Sequence, residues 1–411
     1  MLRGMTSAAR RTIATTSTLA LVLGLGAAAL PAAAGPDRGR GSPDLDVRFA
    51  TFNASLNRSA EGELATDLAD GENAQAQNVA ETIQRTRPDV LLVNEFDYAP
   101  GNEDLFRENY LEVSQNGAEP MDYPYAYIAP SNTGIPSGVD LNRDGTVDGA
   151  DDAFGFGFFP GQYGMVVYSR YPIDADEVRT FQTFRWADMP GNLMPTEFYS
   201  QEAQEVLRLS SKSHWDVPVE VGNKTVHVLA AHPTPPTFDG PEDRNGRRNH
   251  DEIWFWADYV GSPKESAYIY DDEGERGGLK PGERFVVVGD YNADPRDGDS
   301  VNGAIDQLLD HRRINTTVTP ASEGGVEQAF LQGGVNLEHR GDPAFDTADF
   351  SDPPGNLRVD YVLPSRSLRI DDAGVFWPTS DDPLFRLVGT YPFPTSDHRL
   401  VWVDVRLPHR R

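Results

Sequence analysis

Short apolar runs at 47–52, 90–93, 165–168, 226–231, 285–288, 359–363 and 400–405 punctuate the chain. Each is rich in Val, Leu and aromatic side chains and too short for a buried helix, which predicts strands inside a sheet. Between the first two, Ala76, Val79, Ala80 and Ile83 recur at helical spacing, and Pro88 marks the exit. Runs alternating with such segments, without a repeat or a second composition regime, predict a single α/β domain.

The ends of the runs carry a second pattern. Asn53 follows the first, Glu95 comes just after the second, His232 follows the fourth and Asp290 lies just beyond the fifth. Polar residues at the same ends of neighbouring strands gather along one sheet edge, where α/β proteins build ligand sites.

Composition adds context. Of 411 residues, 24% are charged and 38% apolar, with 38 Gly and 31 Pro, so a loop-rich globular chain is expected. Arg3, Arg10 and Arg11 precede an apolar stretch from Leu19 to about Leu30, and Ala32-Ala33-Ala34 follows. This is the layout of a cleavable export signal over 1–34, succeeded by a Gly/Pro-rich linker at 35–44 and a domain at 45–411. The Arg10-Arg11 pair leaves Sec and twin-arginine export both open. Loss of 1–34, with three Arg and no acid, takes the formal charge from −28 to −31. So acidic a body repels polyanions at long range and disfavours a tight, sequence-reading DNA binder. It does not exclude a nuclease, because a metal supplies local positive charge. With no cysteine, stability comes from core burial and bound ions, not disulfides.

Four segments carry chemistry. Val286-Val287-Val288-Gly289-Asp290-Tyr291-Asn292 delivers an acid and an amide two residues apart at a strand end. Such a pair can orient a water and hold a phosphoryl oxygen, although strands ending in an Asp/Asn turn are common. Asp397-His398 precedes the last run, Asp360 sits inside the run at 359–363, and His232 ends the run at 226–231. A buried acid such as Asp360 needs a partner, and a histidine can be one. Glu95 and Asn53 offer oxygen ligands suited to a hard cation.

In this order, Thr51-Phe52-Asn53, Pro88-Asp89-Val90 through Glu95, Tyr163-Gly164 with Tyr168-Ser169-Arg170-Tyr171-Pro172-Ile173, His232, Gly289-Asp290-Tyr291-Asn292, Asp360-Tyr361-Val362 and Ser396-Asp397-His398 resemble the endonuclease/exonuclease/phosphatase family. The resemblance implies a four-layered α/β sandwich with two face-to-face sheets and helices outside. It implies Asn53, Glu95 and Asp397 as ligands of a magnesium or manganese ion. Asp290 would activate or position water, Asn292 would hold a phosphate oxygen, and His232 and His398 would contact the phosphate, with Asp360 orienting His398. No cysteine and no Gly-x-Ser-x-Gly elbow point to a covalent intermediate.

Two stretches depart from that pattern. After His232 the chain is stiffened by Pro233, Pro235 and Pro236, and Arg244, Arg247, Arg248 and His250 form the main basic cluster. Lys212-Ser213-His214-Trp215-Asp216 adds polar groups upstream. A segment of this kind crossing the site could clamp an anionic substrate through the arginines, or be a solvated loop paired with nearby acids. At 140–151, Asp140, Asn142, Asp144, Asp148 and Asp151 stand at positions 1, 3, 5, 9 and 12, with Gly145 at 6 and the Thr146 carbonyl at 7. That spacing predicts a calcium loop with a structural role. The expectation is a secreted, monomeric hydrolase of extracellular organophosphates. A secreted non-specific nuclease with the same mechanism is the alternative, and an inactive calcium-dependent binding module is the third reading.

Overall fold

Alternation along the first strand, β1 (Leu45–Leu56), sets the layering. Val47 and Phe49 point into one core, while Ala50, Phe52 and Ala54 point into another, as a period of two requires. The computed structural model describes residues 45–407; the export signal and linker expected at 1–34 and 35–44 lie outside the described residues. One sheet has six strands. It contains β1, β2 (Val90–Phe96), β3 (Tyr125–Ile128) and β4 (Met165–Ser169), joined by β12 (Arg369–Val375) and β13 (Val401–Leu407), in the order β12-β13-β1-β2-β4-β3. The other contains β5 (Arg179–Thr180), β6 (His214–Val221), β7 (Lys224–Ala231), β8 (Arg284–Asp290) and β11 (Asp360–Pro364), in the order β11-β8-β7-β6-β5. A short ribbon pairs β9 (Ala348–Asp349) with β10 (Asn356–Leu357).

Each main sheet is built on one parallel pair, β1 with β2 and β7 with β8. Parallel neighbours need a crossover, and helices supply it. Ala74–Thr86 crosses from β1 to β2, capped by the Asn73 side chain and stopped by left-handed Arg87 before Pro88. It buries Ala76, Val79, Ala80 and Ile83 against the outer face of the first sheet. Arg244–Tyr259 crosses from β7 to β8 and packs Ile253 and Trp256 on the outer face of the second. Between the sheets lie Val47, Phe49, Val90 and Leu92 from one side and Val226, Val228, Ala230, Val286 and Val288 from the other. The result is the expected sandwich of two mixed sheets flanked by helices. Every predicted run lies in or overlaps a strand. Among the described residues, no helix is long and apolar enough to cross a membrane.

Candidate active site

The inward parity of the core strands continues past their apolar residues. After Val47 and Phe49 the next inward positions on β1 are Thr51 and Asn53; after Val228 and Ala230 comes His232; after Val286 and Val288 comes Asp290. On β11, Asp360 stands two before the inward Val362. Polar side chains thus take over the inter-sheet layer where the two parallel pairs end, and Asp360 pairs in register with Asp290.

The side chains meet around one oxygen. Asp290 Oδ2 accepts a hydrogen bond from Asn53 Nδ2 at 3.0 Å and lies 3.4 Å from His232 Nε2 and 3.6 Å from His398 Nε2. Asp290 Oδ1 accepts from the Asn292 backbone N–H at 2.9 Å, fixing the carboxylate plane. Asn53 Nδ2 also reaches Glu95 Oε1 at 3.1 Å, and Asn57 donates to Glu95 Oε2 at 2.7 Å. Behind His398, Nδ1 is 2.9 Å from Asp360 Oδ2, which also accepts from Thr347 Oγ1 at 2.8 Å. His398 is further held by Phe350, edge-on at 5.3 Å between ring centres.

Several turns here are strained. Ser55, Glu95, Tyr163 and Asn292 all have positive φ, at 48°, 55°, 56° and 51°. Non-glycine residues in this region cost on the order of 1–3 kcal/mol each and collect at functional sites. The strain follows the strand ends, where Glu95 turns to Asn53 and Asn57, and Asn292 donates its Nδ2 to the Pro233 carbonyl at 3.2 Å.

Electrostatics divides the two histidines. Burial opposes the His398 imidazolium, but Asp360 and Asp290 outweigh it and hold its pKa well above the ordinary value. Burial, with the Lys212 and His398 charges, drives His232 well below its ordinary value, and its Nδ1 has no hydrogen-bond partner among the described residues. Burial lifts Asp290 to about 6 against the pull of His398. Burial also raises Glu95, and the nearby Asp397 and Asp290 charges add to that.

These carboxylates therefore repel one another, which is what a divalent ion offsets; Asn53 turns its amide nitrogen to Glu95 and Asp290, while its Oδ1 accepts from the Ser55 N–H at 3.2 Å. Asp397 is half-buried and acts on Glu95 through its charge. Asp290, Asp360 and His398 form a second buried donor group, their ligand atoms within 4.8 Å of one another, which could itself hold a metal. Its internal hydrogen bond to His398 Nδ1 equally makes it a relay that keeps the imidazolium charged and oriented.

Other expectations fare differently. Arg248 is not a clamp. Its guanidinium is buried and donates to the carbonyls of Leu209, Phe154 and Arg208 at 2.6–2.9 Å, because a buried guanidinium must satisfy its donors. The basic cluster lies on the first turns of a helix, not on a loop. Arg244 is tied to Glu242 and lies over the Phe198 ring at 5.3 Å, while Arg247 is half-buried with its charge acting on Asp243. His250 Nδ1 lies 2.9 Å from Asp251.

In the loop at 140–151, Asp140 accepts from the Arg143 and Gly145 N–H groups, Asp144 from Thr146, and Gly145 has φ 93°. Asn142 and Asp148 lie in the same turns. The last position differs from expectation: Asp151 is exposed, and the next residue, Asp152, is buried and accepts from Leu141 N and Asp148 N at 2.7 and 3.0 Å. Two backbone donors needed an acceptor there, and Asp152 supplies it.

One contributor, Asn94, escaped the sequence reading, and a second, Lys212, was read only as one of the polar groups upstream of the basic segment. Asn94 joins the sheets, donating to Ala231 O at 3.4 Å and accepting from Asp290 N at 3.3 Å. Its signal was available, as the polar inward position of β2 after Val90 and Leu92. Lys212 is buried at the mouth of β6; burial lowers its pKa, while Glu252, Glu95 and Asp290 favour its charge. Pro218 inside β6 hid that strand from the run pattern.

A fold of two facing sheets with buried acids, one cationic and one neutral imidazole and a hard-oxygen donor set defines a metal-dependent phosphoester hydrolase. The chain belongs to the Endonuclease/Exonuclease/phosphatase family, whose sequence model matches residues 50–398. No curated protein matches by sequence. Among solved structures, the chain is similar to an endonuclease/exonuclease/phosphatase from Beutenbergia cavernae DSM 12333, at 17% identity, 88% of this chain, 72% of that one and a TM-score of 0.48. It is also similar to beta toxin from Staphylococcus aureus (13%, 87% and 99%, 0.45) and to sphingomyelinase C from Streptomyces griseocarneus (14%, 88% and 98%, 0.44).

Proposed function

We propose that the chain is an exported hydrolase of small extracellular organophosphates in which water attacks phosphorus directly. The observation that carries the reading is the convergence of Asn53, His232 and His398 on one oxygen of Asp290. Asp290 Oδ2 accepts the water proton and aims the oxygen at phosphorus, with Asn292 N–H keeping the carboxylate from rotating. His398, kept cationic by Asp360, draws in the phosphoryl oxygens and can give its Nε2 proton to the leaving oxygen. His232 is neutral and offers a hydrogen bond, and Lys212 adds positive charge from the β6 side. Asn53, Glu95 and Asp397 would hold a magnesium or manganese ion, which would supply Lewis-acid neutralisation of phosphoryl charge.

The formal charge of −28 supports small esters over polyanions. With Arg248 tied to carbonyls, a substrate clamp rests on Arg247 and Arg244 alone. Export is supported by the pattern of residues 1–34, and calcium at 140–151 by the donor spacing. Disappearance of one calcium equivalent from isothermal titration on Asp144→Ala is the expected result for the loop; an unchanged count refutes it.

The function is tested with purified protein and magnesium, manganese or calcium against bis-nitrophenyl phosphate, nitrophenyl phosphate, phytate, sphingomyelin, RNA and plasmid DNA. Metal-dependent turnover of the small esters, lost on chelation and reduced about 10³-fold in Asp290→Asn, is expected. DNA cleaved well ahead of the small esters overturns the substrate assignment in favour of a nuclease.

A further inference from the structure

Beside the edge strand β11, the loops at 294–297 and 340–346 border a cavity of about 370 Å³. None of the catalytic side chains lines it. Asp346 does: the residue is 7% exposed, and its carboxylate has no hydrogen bond or ion pair among the described residues. Burying a carboxylate without a partner is costly, and natural structures pair such groups or give them an ion.

The surroundings add negative charge. Asp294, Asp297 and Asp342 all act on Asp346 and, with burial, raise its pKa to about 8. All three neighbours accept hydrogen bonds elsewhere, Asp342 through one oxygen only, from the Ala344 N–H at 3.1 Å. Asp294 accepts from the backbone N–H groups of Arg296, Asp297 and Arg358, and Asp297 from those of Arg340 and Gly341. Two of the three arginines that line the cavity are engaged too, while the Arg296 side chain has no hydrogen bond or ion pair among the described residues. Arg340 bonds to the Arg296 carbonyl and lies 3.9 Å from Asp297, and Arg358 sits over the Tyr361 ring at 4.7 Å.

We propose that this cavity is a divalent-cation site anchored by Asp346, with Asp342 at the rim as its second carboxylate and water completing the shell. Hard oxygen donors of this kind take calcium or magnesium, and the cavity has room for an ion that keeps several waters. The site is separate from Glu95 and from the loop at 140–151. Its place in the fold gives it a purpose: Asp346 immediately precedes Thr347, whose hydroxyl bonds Asp360 and receives the Asp360 N–H at 2.9 Å. An ion there ties the loops that support the Asp360–His398 pair from behind.

The test uses the Glu95→Gln/Asp290→Asn/Asp144→Ala protein, in which both donor groups of the active site and the loop site are weakened, titrated with calcium or magnesium alone by calorimetry and by thermal unfolding. One bound equivalent and an ion-dependent rise in Tm are expected. Adding Asp346→Asn abolishes both while raising the Tm in chelator, because folding no longer has to bury this carboxyl, whether charged or by taking up a proton. Asp342→Asn, at the exposed rim, keeps the fold and weakens binding at least tenfold. The proposal is overturned if the folded background protein binds no ion at millimolar concentration, or if Asp346→Asn and Asp342→Asn leave binding intact. A Tm rise in Asp346→Asn that is equal with and without ion also overturns it, since Asp346 is then a protonated acid and not a ligand.

Discussion

Gly289 sits between the residue that begins the catalytic turn and the last apolar residue of β8, and replacing it with alanine tests how closely the site depends on strand spacing. Its φ is 149°, a region that side chains rarely enter, and a Cβ built there would stand 2.0 Å from the Ala231 carbonyl oxygen. Real Cβ atoms keep at least 3.0 Å from such an oxygen, so β7 and β8 must separate locally by about 1 Å. Overpacking of this kind costs about 1–3 kcal/mol, and the unfavourable φ adds roughly 1–2 kcal/mol, giving a total near 2–5 kcal/mol. The shift falls on the pair that matters, since Ala231 leads directly into His232 and Gly289 into Asp290, now 3.4 Å apart. A displacement of about 1 Å in a positioned group can cost about 10²-fold in rate.

Gly289→Ala is therefore expected to lower kcat/KM against bis-nitrophenyl phosphate by about 10²-fold and to move the urea midpoint down. Gly303→Ala is the control: its φ is 81° but nothing lies within 4 Å, so it should lose stability slightly and keep full activity. A folded Gly289→Ala enzyme within twofold of wild-type activity would refute the argument that strand approach sets the catalytic distance.

Three further outcomes follow from the same geometry. Asp360→Asn removes the charge that keeps His398 cationic, and breaking a buried pair of this kind costs about 3–5 kcal/mol. The expected readouts are a fall in kcat/KM of about 10²–10³-fold and a lower His398 pKa by NMR, and an unchanged imidazole titration contradicts the relay. Lys212→Met should reduce kcat/KM by about 10–10²-fold with little change in urea midpoint, and equal kinetics show that Lys212 is only a buried neighbour. His214 is buried against Phe255 and Trp256 and its pKa is pushed down to about 4 from 6.5, so it is neutral in the fold while the unfolded chain takes up a proton. Stability should fall as pH drops from about 6.5 towards 4, by up to roughly 3 kcal/mol from this group. His214→Gln should flatten that slope in urea melts, and an unaltered slope assigns it to other groups.

Much of this protein is written in its local pattern. Apolar runs predicted the strands because a buried strand needs a short uninterrupted apolar segment, and the parity of Val286, Val288 and Asp290 already placed the acid on the inner face. Ordered motifs likewise named the side chains that converge, from Asn53 to His398, because each must stand at a strand end whatever surrounds it. Tertiary structure decided what depends on partners distant along the chain. Arg248 looked like a free cation until three carbonyls were found around it. Lys212 became part of the site only when β6 was laid beside β7. Asp151 and Asp152 were equivalent until the loop turned one towards its backbone donors. Asp346 is an ordinary aspartate by sequence, and only its burial beside three other acids makes it a ligand in want of an ion. Periodicity reports which face a residue occupies; burial and charge depend on what the opposite face brings, and no single segment carries that.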